Sequence, residues 1–251
     1  MQRILNTYDS ISLEEMKKVR LMNRIDTKYV TTVSLLTSLL KEAREFYYVQ
    51  VIENQNVMPY YTLYYDTVNV DMYMEHLRGR KRRQKIRIRR YEASGMSFLE
   101  VKNKNNKGRT KKIRMSLEAD KDNDFNGFIG LYGNYPLCEL AETIENRFSR
   151  ITLVNRNLTE RLTIDIHLRF HNLSNHRTCL LEDLVIIELK RDGKNHSPVL
   201  DILRRLHIHE AKFSKYCMGM VLTNEQLKCN RFKPRIRMTR QMCNIVKDII
   251  F

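Results

Sequence analysis

Acidic residues are scarce in this 251-residue chain: 29 Asp and Glu stand against 45 Lys and Arg, giving a formal net charge of +16 and a pI near 9.7. The imbalance implies an anionic partner such as nucleic acid, a membrane surface or a polyphosphorylated ligand. No uncharged apolar run approaches the ~18 residues of a membrane-spanning helix. Met1 to Lys18 are polar and lack an apolar h-region, so neither a span nor a signal peptide is expected. Long Pro/Gly/Ser or low-complexity linkers are missing, and with 42% hydrophobic residues the chain reads as one domain able to bury a full core. Cys138, Cys179, Cys217, Cys229 and Cys243 are odd in number and show no CxxC spacing; they read as free thiols in a reducing compartment. The expected location is cytoplasmic, or peripheral to a membrane. Nucleophile-elbow, P-loop and dinucleotide glycine patterns are also absent, which removes the main support for common hydrolase, Walker-type kinase and Rossmann readings.

What the chain does have is alternation of cations with apolar residues. Lys85-Ile-Arg-Ile-Arg-Arg-Tyr91 places Lys85, Arg87, Arg89 and Tyr91 on one face of a strand, and Leu99-Glu-Val-Lys-Asn-Lys104 places Glu100, Lys102 and Lys104 on one face of the next. Taken alone, each such strand is most simply half buried with its charges in water. The pattern repeats, however, at Arg24/Asp26/Lys28, at Arg161 to His167 and at Ile187-Glu188-Leu189-Lys190. Five strands with one polar, largely cationic face suggest a barrel with a polar interior.

Between these strands, Ser12-Leu-Glu-Glu15 fits a capping box that opens a short helix. Thr32 to Phe46 carries Val33, Leu36, Leu40 and Ala43 at helical spacing, as expected of an amphipathic helix packed outside a sheet. Further strands are expected at 47–52, 60–66, 83–92, 96–104, 109–117, 151–156, 161–170 and 181–191. Glu118 to Arg147 reads as mixed, helical in parts and broken at Gly127, Gly130, Gly133 and Pro136. Helices are expected from Ser197-Pro198 to about Leu206 and over Ala211 to Val221. The basic segment 224–251 reads as a tail or terminal helix. The fold class is therefore α+β, built around an antiparallel sheet.

Arg24-x-x-x-Lys28-Tyr29, Tyr64-Tyr-Asp-Thr67, Lys85-x-Arg-x-Arg-x-Tyr91, Leu99-Glu-x-Lys102, Asn155-Arg156, Arg161 to Asp165, Ile187-Glu-Leu-Lys190 and Lys212-Phe-Ser-Lys-Tyr216 occur in the order found in the VTC domain. This ordered set resembles that polyphosphate polymerase branch of the triphosphate tunnel metalloenzymes over about residues 20 to 220. The resemblance implies an eight-stranded antiparallel β-barrel with flanking helices, forming a tunnel domain over residues 1–223, with 224–251 outside it. It implies ATP and inorganic polyphosphate as substrates and Mn²⁺ or Mg²⁺ as cofactor. Lys28, Arg87, Arg89, Lys102, Arg156, Arg161, Lys212 and Lys215 correspond to the phosphate-coordinating set, and Glu188 to the metal-binding carboxylate. The Glu-x-Glu-x-Lys opening of hydrolase and cyclase relatives is replaced here by Arg24-Ile-Asp-Thr-Lys28. That replacement removes metal-binding charge and leaves Asp26 as a second metal ligand or, in the favoured reading, the partner of an arginine.

Transfer to the terminal phosphate of a polymer suits such a chain, because that nucleophile is already anionic and the obstacle is repulsion between polyanions. Three other readings stay open: a triphosphatase, a tunnel that binds polyphosphate or inositol phosphate without turnover, and a nucleic-acid module on Arg78 to Arg90. Against the last, the cations alternate with Ile where a sheet-type RNA binder needs exposed aromatics. His167, His171, His176, His207 and His209 lack zinc-site spacing. Any coupling to export requires a separate membrane protein, docked in one scheme through the basic tail.

Overall fold

The computed structural model describes residues 1–19, 24–117, 123–193, 196–243 and, as backbone, 246–247. Its twelve strands are β1 (Ser10–Ser12), β2 (Arg24–Thr32), β3 (Tyr47–Val51), β4 (Met58–Thr67), β5 (Arg83–Tyr91), β6 (Ser97–Lys104), β7 (Thr110–Leu117), β8 (Leu140–Asn155), β9 (Glu160–Asn172), β10 (Thr178–Leu181), β11 (Leu184–Asp192) and β12 (Val246–Lys247). Eight of them, in the order β2-β11-β9-β8-β4-β5-β6-β7, form a continuous antiparallel sheet that curls into a half-barrel. Among the described residues β2 and β7 do not pair, so the curl stays open along one seam.

Strict alternation explains which face curls inward. On β11, Ile187 and Leu189 join Ile164 of β9 and Leu36, Leu39 and Leu40 of the helix Val33–Ala43 in an outer core, while Glu188 and Lys190 point the other way. Each of those fully buried leucines contributes about 1.5 to 3 kcal/mol, enough to hold the helix on the outside of the sheet. On β5 and β6, Ile86, Leu99 and Val101 pack beneath Ile129 and Phe128 of the helix Phe125–Tyr132, leaving Lys85, Arg87, Arg89 and Lys102 on the inner face. A third helix, Lys215–Thr223, buries Tyr216, Cys217 and Met220 with Tyr64, Phe148 and Phe170.

Several boundaries differ from the pattern-based expectation. Residues 118–122 lie outside the described residues, but the rest of that mixed stretch is a helix running through Gly127 and Gly130, followed by a 16-residue strand that starts at Leu140, not near Ile151. The period-2 signal fails there because the register of β8 against β4 shifts by a bulge beside Tyr64, with the Thr143 hydroxyl donating to the Tyr64 carbonyl at 2.9 Å. A second bulge falls between β8 and β9 at His167, whose φ is +53°. Beyond it Leu168 and Phe170 turn to the face that Thr163 and Asp165 occupy before it. The Ala211–Val221 helix begins at Lys215: Ala211 donates its N–H to the Lys28 carbonyl at 2.8 Å, and Ser214 is the N-cap, accepting from the Cys217 N–H at 3.3 Å. The helix Asp71–Arg78 starts after Val70, which offers no side-chain cap, so it lacks the usual start signal in sequence. Buried Asp66 accepts the Thr67, Met72 and Tyr73 N–H groups at 2.8 to 3.0 Å and the Tyr216 hydroxyl, so the Tyr-Tyr-Asp-Thr motif serves the fold.

Candidate functional site

The inner face of the curl and its open seam enclose a cavity of ≈ 1340 Å³. Its walls bring together β2 (Arg24, Asp26, Lys28), β5 (Arg83, Lys85), the β6–β7 hairpin (Lys102, Lys104, Lys107, Arg109), Glu188 of β11, and Glu210, Lys212 and Ser214 ahead of the helix Lys215–Thr223. Arg231 and Arg235 complete the lining, which holds eleven lysines and arginines against three carboxylates. Such an imbalance in a walled space is a binding site for a polyanion.

A more deeply buried cluster adjoins this cavity. Arg87 is held by Glu100 at 2.7 Å, and Glu100, fully buried, also takes Lys112 at 2.8 Å. Although burial pushes the Glu100 carboxyl up, Arg87 and Arg89 bring it down to about 2. Arg89 is 9% exposed, with Nε donating to Thr62 at 3.4 Å and its guanidinium 5.8 Å from the Tyr60 ring centre. Burial and the neighbouring Arg87 and Arg150 lower its pKa to about 10. Arg150 forms a two-pronged pair with Asp165 at 2.6 and 2.9 Å, and Lys215 joins the same carboxylate from above the Phe148 ring. Burial opposes ionisation of Asp165, yet Arg150 and Lys215 keep it far below the ordinary carboxylate range. Arg161 has a buried Nε without a partner, and desolvation together with Arg150 and Arg24 lowers its pKa.

The lysines report the field directly. Burial, Lys28 and Arg87 lower Lys85 to about 8, and its Nζ donates to Ser214 at 2.8 Å. Lys102 also falls to about 8, through desolvation first and then the nearby Arg87, Lys85 and Lys28. Lys215 is brought to about 7, chiefly by burial. Cations that suppress one another's protonation regain it when an anion enters.

Among the residues singled out in the sequence, Lys28, Lys102, Lys212 and Glu188 line the cavity, and Arg87, Arg89, Arg161 and Lys215 belong to the strands and helix that wall it. Arg156 is not among them. It lies past the end of β8, where its Nε donates to the Glu45 carbonyl at 2.7 Å, its Nη2 to Asp9 at 2.7 Å, and its guanidinium stacks on Tyr48. Those contacts anchor the N-terminal segment, because the turn after Asn155 carries Arg156 away from the curl. Asp26 pairs with Arg24 at 2.7 Å, the structural role favoured from the sequence. Glu188 is paired with Lys190 and lies 3.5 Å from Lys28, and against the effect of burial these cations hold it far below its ordinary value. Three further cations have no signal in the sequence pattern: Arg150, on the part of β8 where the period-2 alternation is broken, and Arg231 and Arg235, in the basic C-terminal segment.

A model of the VTC domain matches residues 23–146 and 137–224 of the chain. Among solved structures, a candidate adenylate cyclase of Bacillus halodurans is similar at 14% identity with a TM-score of 0.50, covering 77% of this chain and 96% of that one. A candidate adenylyl cyclase of Hippeastrum, in which triphosphatase activity is described as dominant, is similar at 14% identity and a TM-score of 0.50 over 80% of this chain and 97% of its own. No curated protein matches the sequence. At that identity the two structures speak to the fold, and the fold they share with this chain is the curled antiparallel sheet.

Proposed function

The chain belongs to the VTC domain family, and we propose that it is a polyphosphate polymerase that transfers the terminal phosphoryl group of ATP to a growing inorganic polyphosphate chain. The observation that carries this reading is the charge of the cavity, eleven cations to three carboxylates, far more than one triphosphate needs. A terminal phosphate oxygen of the polymer attacks the γ-phosphorus, the bond from that phosphorus to the β–γ bridging oxygen breaks, and ADP leaves with the bond's electrons. The nucleophile is anionic at neutral pH, so no general base is needed. The work of the protein is to hold two polyanions in line and to spread compensating charge over their oxygens. Lys85, fixed by Ser214, and Lys102, facing the cavity, suit that role. Among the described carboxylates at the site, Glu188, Asp26, Asp165 and Glu100 are each tied to a cation, and Glu210 is the lining carboxylate without an ion pair among the described residues.

No group of three His, Cys, Asp or Glu positioned to hold a metal occurs among the described residues. A cage made wholly by the protein does not fit. A single carboxylate does fit a Mn²⁺ or Mg²⁺ ion bound chiefly through phosphate oxygens and water, and Glu188 would be its protein ligand. When bound, the ion neutralises charge on the phosphate oxygens. Lys28 and Lys190, which hold Glu188, are placed to take over phosphate contacts.

Purified protein given ATP, Mn²⁺ or Mg²⁺ and a short polyphosphate primer is expected to release ADP and build an acid-insoluble polymer that exopolyphosphatase digests and nuclease does not. Glu188→Gln should abolish turnover and leave polyphosphate binding intact or tighter, since a negative charge is removed; near-normal activity would take Glu188 out of the mechanism. The second reading is a triphosphatase, favoured by the fold shared with the Hippeastrum protein, and orthophosphate without polymer would select it. Neither product, with nucleic acid bound steeply with salt, would select the nucleic-acid module.

A further inference from the structure

The matched family region ends at residue 224, but the cavity does not. The chain beyond it folds back onto the helix Asp71–Arg78. Phe232 is buried against Tyr73 and His76, with ring centres 5.8 and 5.7 Å apart, and the Tyr73 hydroxyl donates to the Lys228 carbonyl at 2.6 Å. This anchor sets Arg231 and Arg235 on the cavity wall at its His76 side, with Arg235 5.6 Å above the Phe232 ring.

Gly79 leaves the room that Arg231 occupies. Gly79 ends the helix with φ +74°, and a β-carbon on it would overlap the Arg231 guanidinium. Neither Arg231 nor Arg235 forms an ion pair with a carboxylate among the described residues. His76 beside them is half-buried, and desolvation together with the nearby Lys85, Arg83 and Arg235 brings it down to about 3, so it adds no compensating charge and no extra cation. Two arginines are therefore presented to the cavity from a segment outside the sheet, each without a carboxylate partner among the described residues.

Resting on the polymerase reading above, we propose that residues 228–235 form a long-chain subsite: Arg231 and Arg235 grip phosphates of the polymer beyond those held by Lys28, Lys85 and Lys102. A long polyphosphate carries enough phosphates to engage the strand lysines and the C-terminal arginines together, whereas the three phosphates of tripolyphosphate are far fewer than the eleven cations of the lining. The subsite makes the protein discriminate by chain length, binding long polymer more tightly than tripolyphosphate. Its contribution is charge-assisted hydrogen bonding to successive phosphates, with the counterion release that follows.

The test measures equilibrium binding of inorganic tripolyphosphate and of long-chain polyphosphate to the full chain and to the Arg231→Ala/Arg235→Ala double variant, at several salt concentrations. Long-chain affinity is expected to fall about tenfold or more, with the salt slope reduced by roughly 1 to 2, and tripolyphosphate affinity to change less than about twofold. The Arg231→Lys/Arg235→Lys variant should recover most of the salt slope, because charge and not fold is lost. Equal losses for both ligands, or no loss for either, would overturn the subsite while leaving the polymerase reading standing. If the unaltered protein binds neither phosphate, the polymerase reading itself fails. Long RNA outcompeting long polyphosphate at equal charge would also overturn the assignment.

Discussion

Arg87 and Arg89 are two positions apart on one strand and share a face, yet their surroundings separate them. Arg87 is committed to Glu100, so removing it strands a fully buried carboxylate with Lys112 as its remaining partner, and any loss of binding would be mixed with loss of stability. Arg89 has one long hydrogen bond to Thr62 and an aromatic face beside it, and its depressed pKa reflects burial and then crowding by Arg87 and Arg150. Arg89→Ala is expected to weaken polyphosphate binding by about 1.5 to 3 kcal/mol. Arg90→Ala, one residue further and exposed on the other face, should change binding by less than about 0.5 kcal/mol. Titration calorimetry on both variants decides it; equal effects would mean that the strand's parity does not govern the site.

At the scale of elements, the helix Lys215–Thr223 matters most, because its N-terminal end presents Lys215 and Ser214 to the site while its body fills the space between β4, β8 and β9. Gly219 makes the close approach possible: a β-carbon there would lie 2.6 Å from the Phe170 ring and 2.7 Å from the Ile144 side chain. Gly219→Ala is expected to destabilise by about 1 to 3 kcal/mol through overpacking, despite the better helix propensity of alanine. Gly130, on the exposed side of the helix Phe125–Tyr132 with nothing within 4 Å, is the opposite case, and Gly130→Ala should stabilise by about 0.5 to 1 kcal/mol. Denaturant unfolding of the two variants measures both, and a neutral Gly219→Ala would show that the helix can ride away from the sheet.

For the whole molecule the governing fact is concentrated like charge. Lys85 and Lys102 titrate near 8 and Lys215 near 7 in the folded protein, against about 10.4 for an unfolded lysine. Between about pH 7 and 10 the unfolded chain binds more protons, so these groups make stability rise with pH across that window. Phosphate binding acts in the other direction. An entering anion raises the three pKa values and takes up protons, so affinity for tripolyphosphate should fall as pH climbs from about 7 to 9 while thermal stability of the ligand-free protein increases. Parallel melting and binding series would show the two trends crossing, and affinity that holds constant to pH 9 would remove these lysines from the contact set.

Alternation was enough to read the inner faces of β2, β5, β6 and β11, because each strand has one face under a helix, and a one-residue slip would bury charge. The ordered motifs were enough to identify the family and, with it, the curled antiparallel sheet and Arg24, Lys28, Lys85, Lys102 and Lys212 of the cavity wall. What alternation could not show lies where that physics is interrupted. The bulges at Thr143 and His167 break the period of β8 and β9 and so concealed Arg150 and the first half of the longest strand. Asn155-Arg156 matched the motif but not the place, since the direction of a turn is decided by Asp9 and Glu45, more than a hundred residues away in sequence. The C-terminal arginines had no local signal, because their role depends on Phe232 finding Tyr73 and on the space left by Gly79. Local pattern therefore determined which side chains face inward, and tertiary packing decided which of those faces meet, because side-chain direction repeats every two residues along a strand while the enclosure of a cavity depends on contacts between segments far apart in the chain.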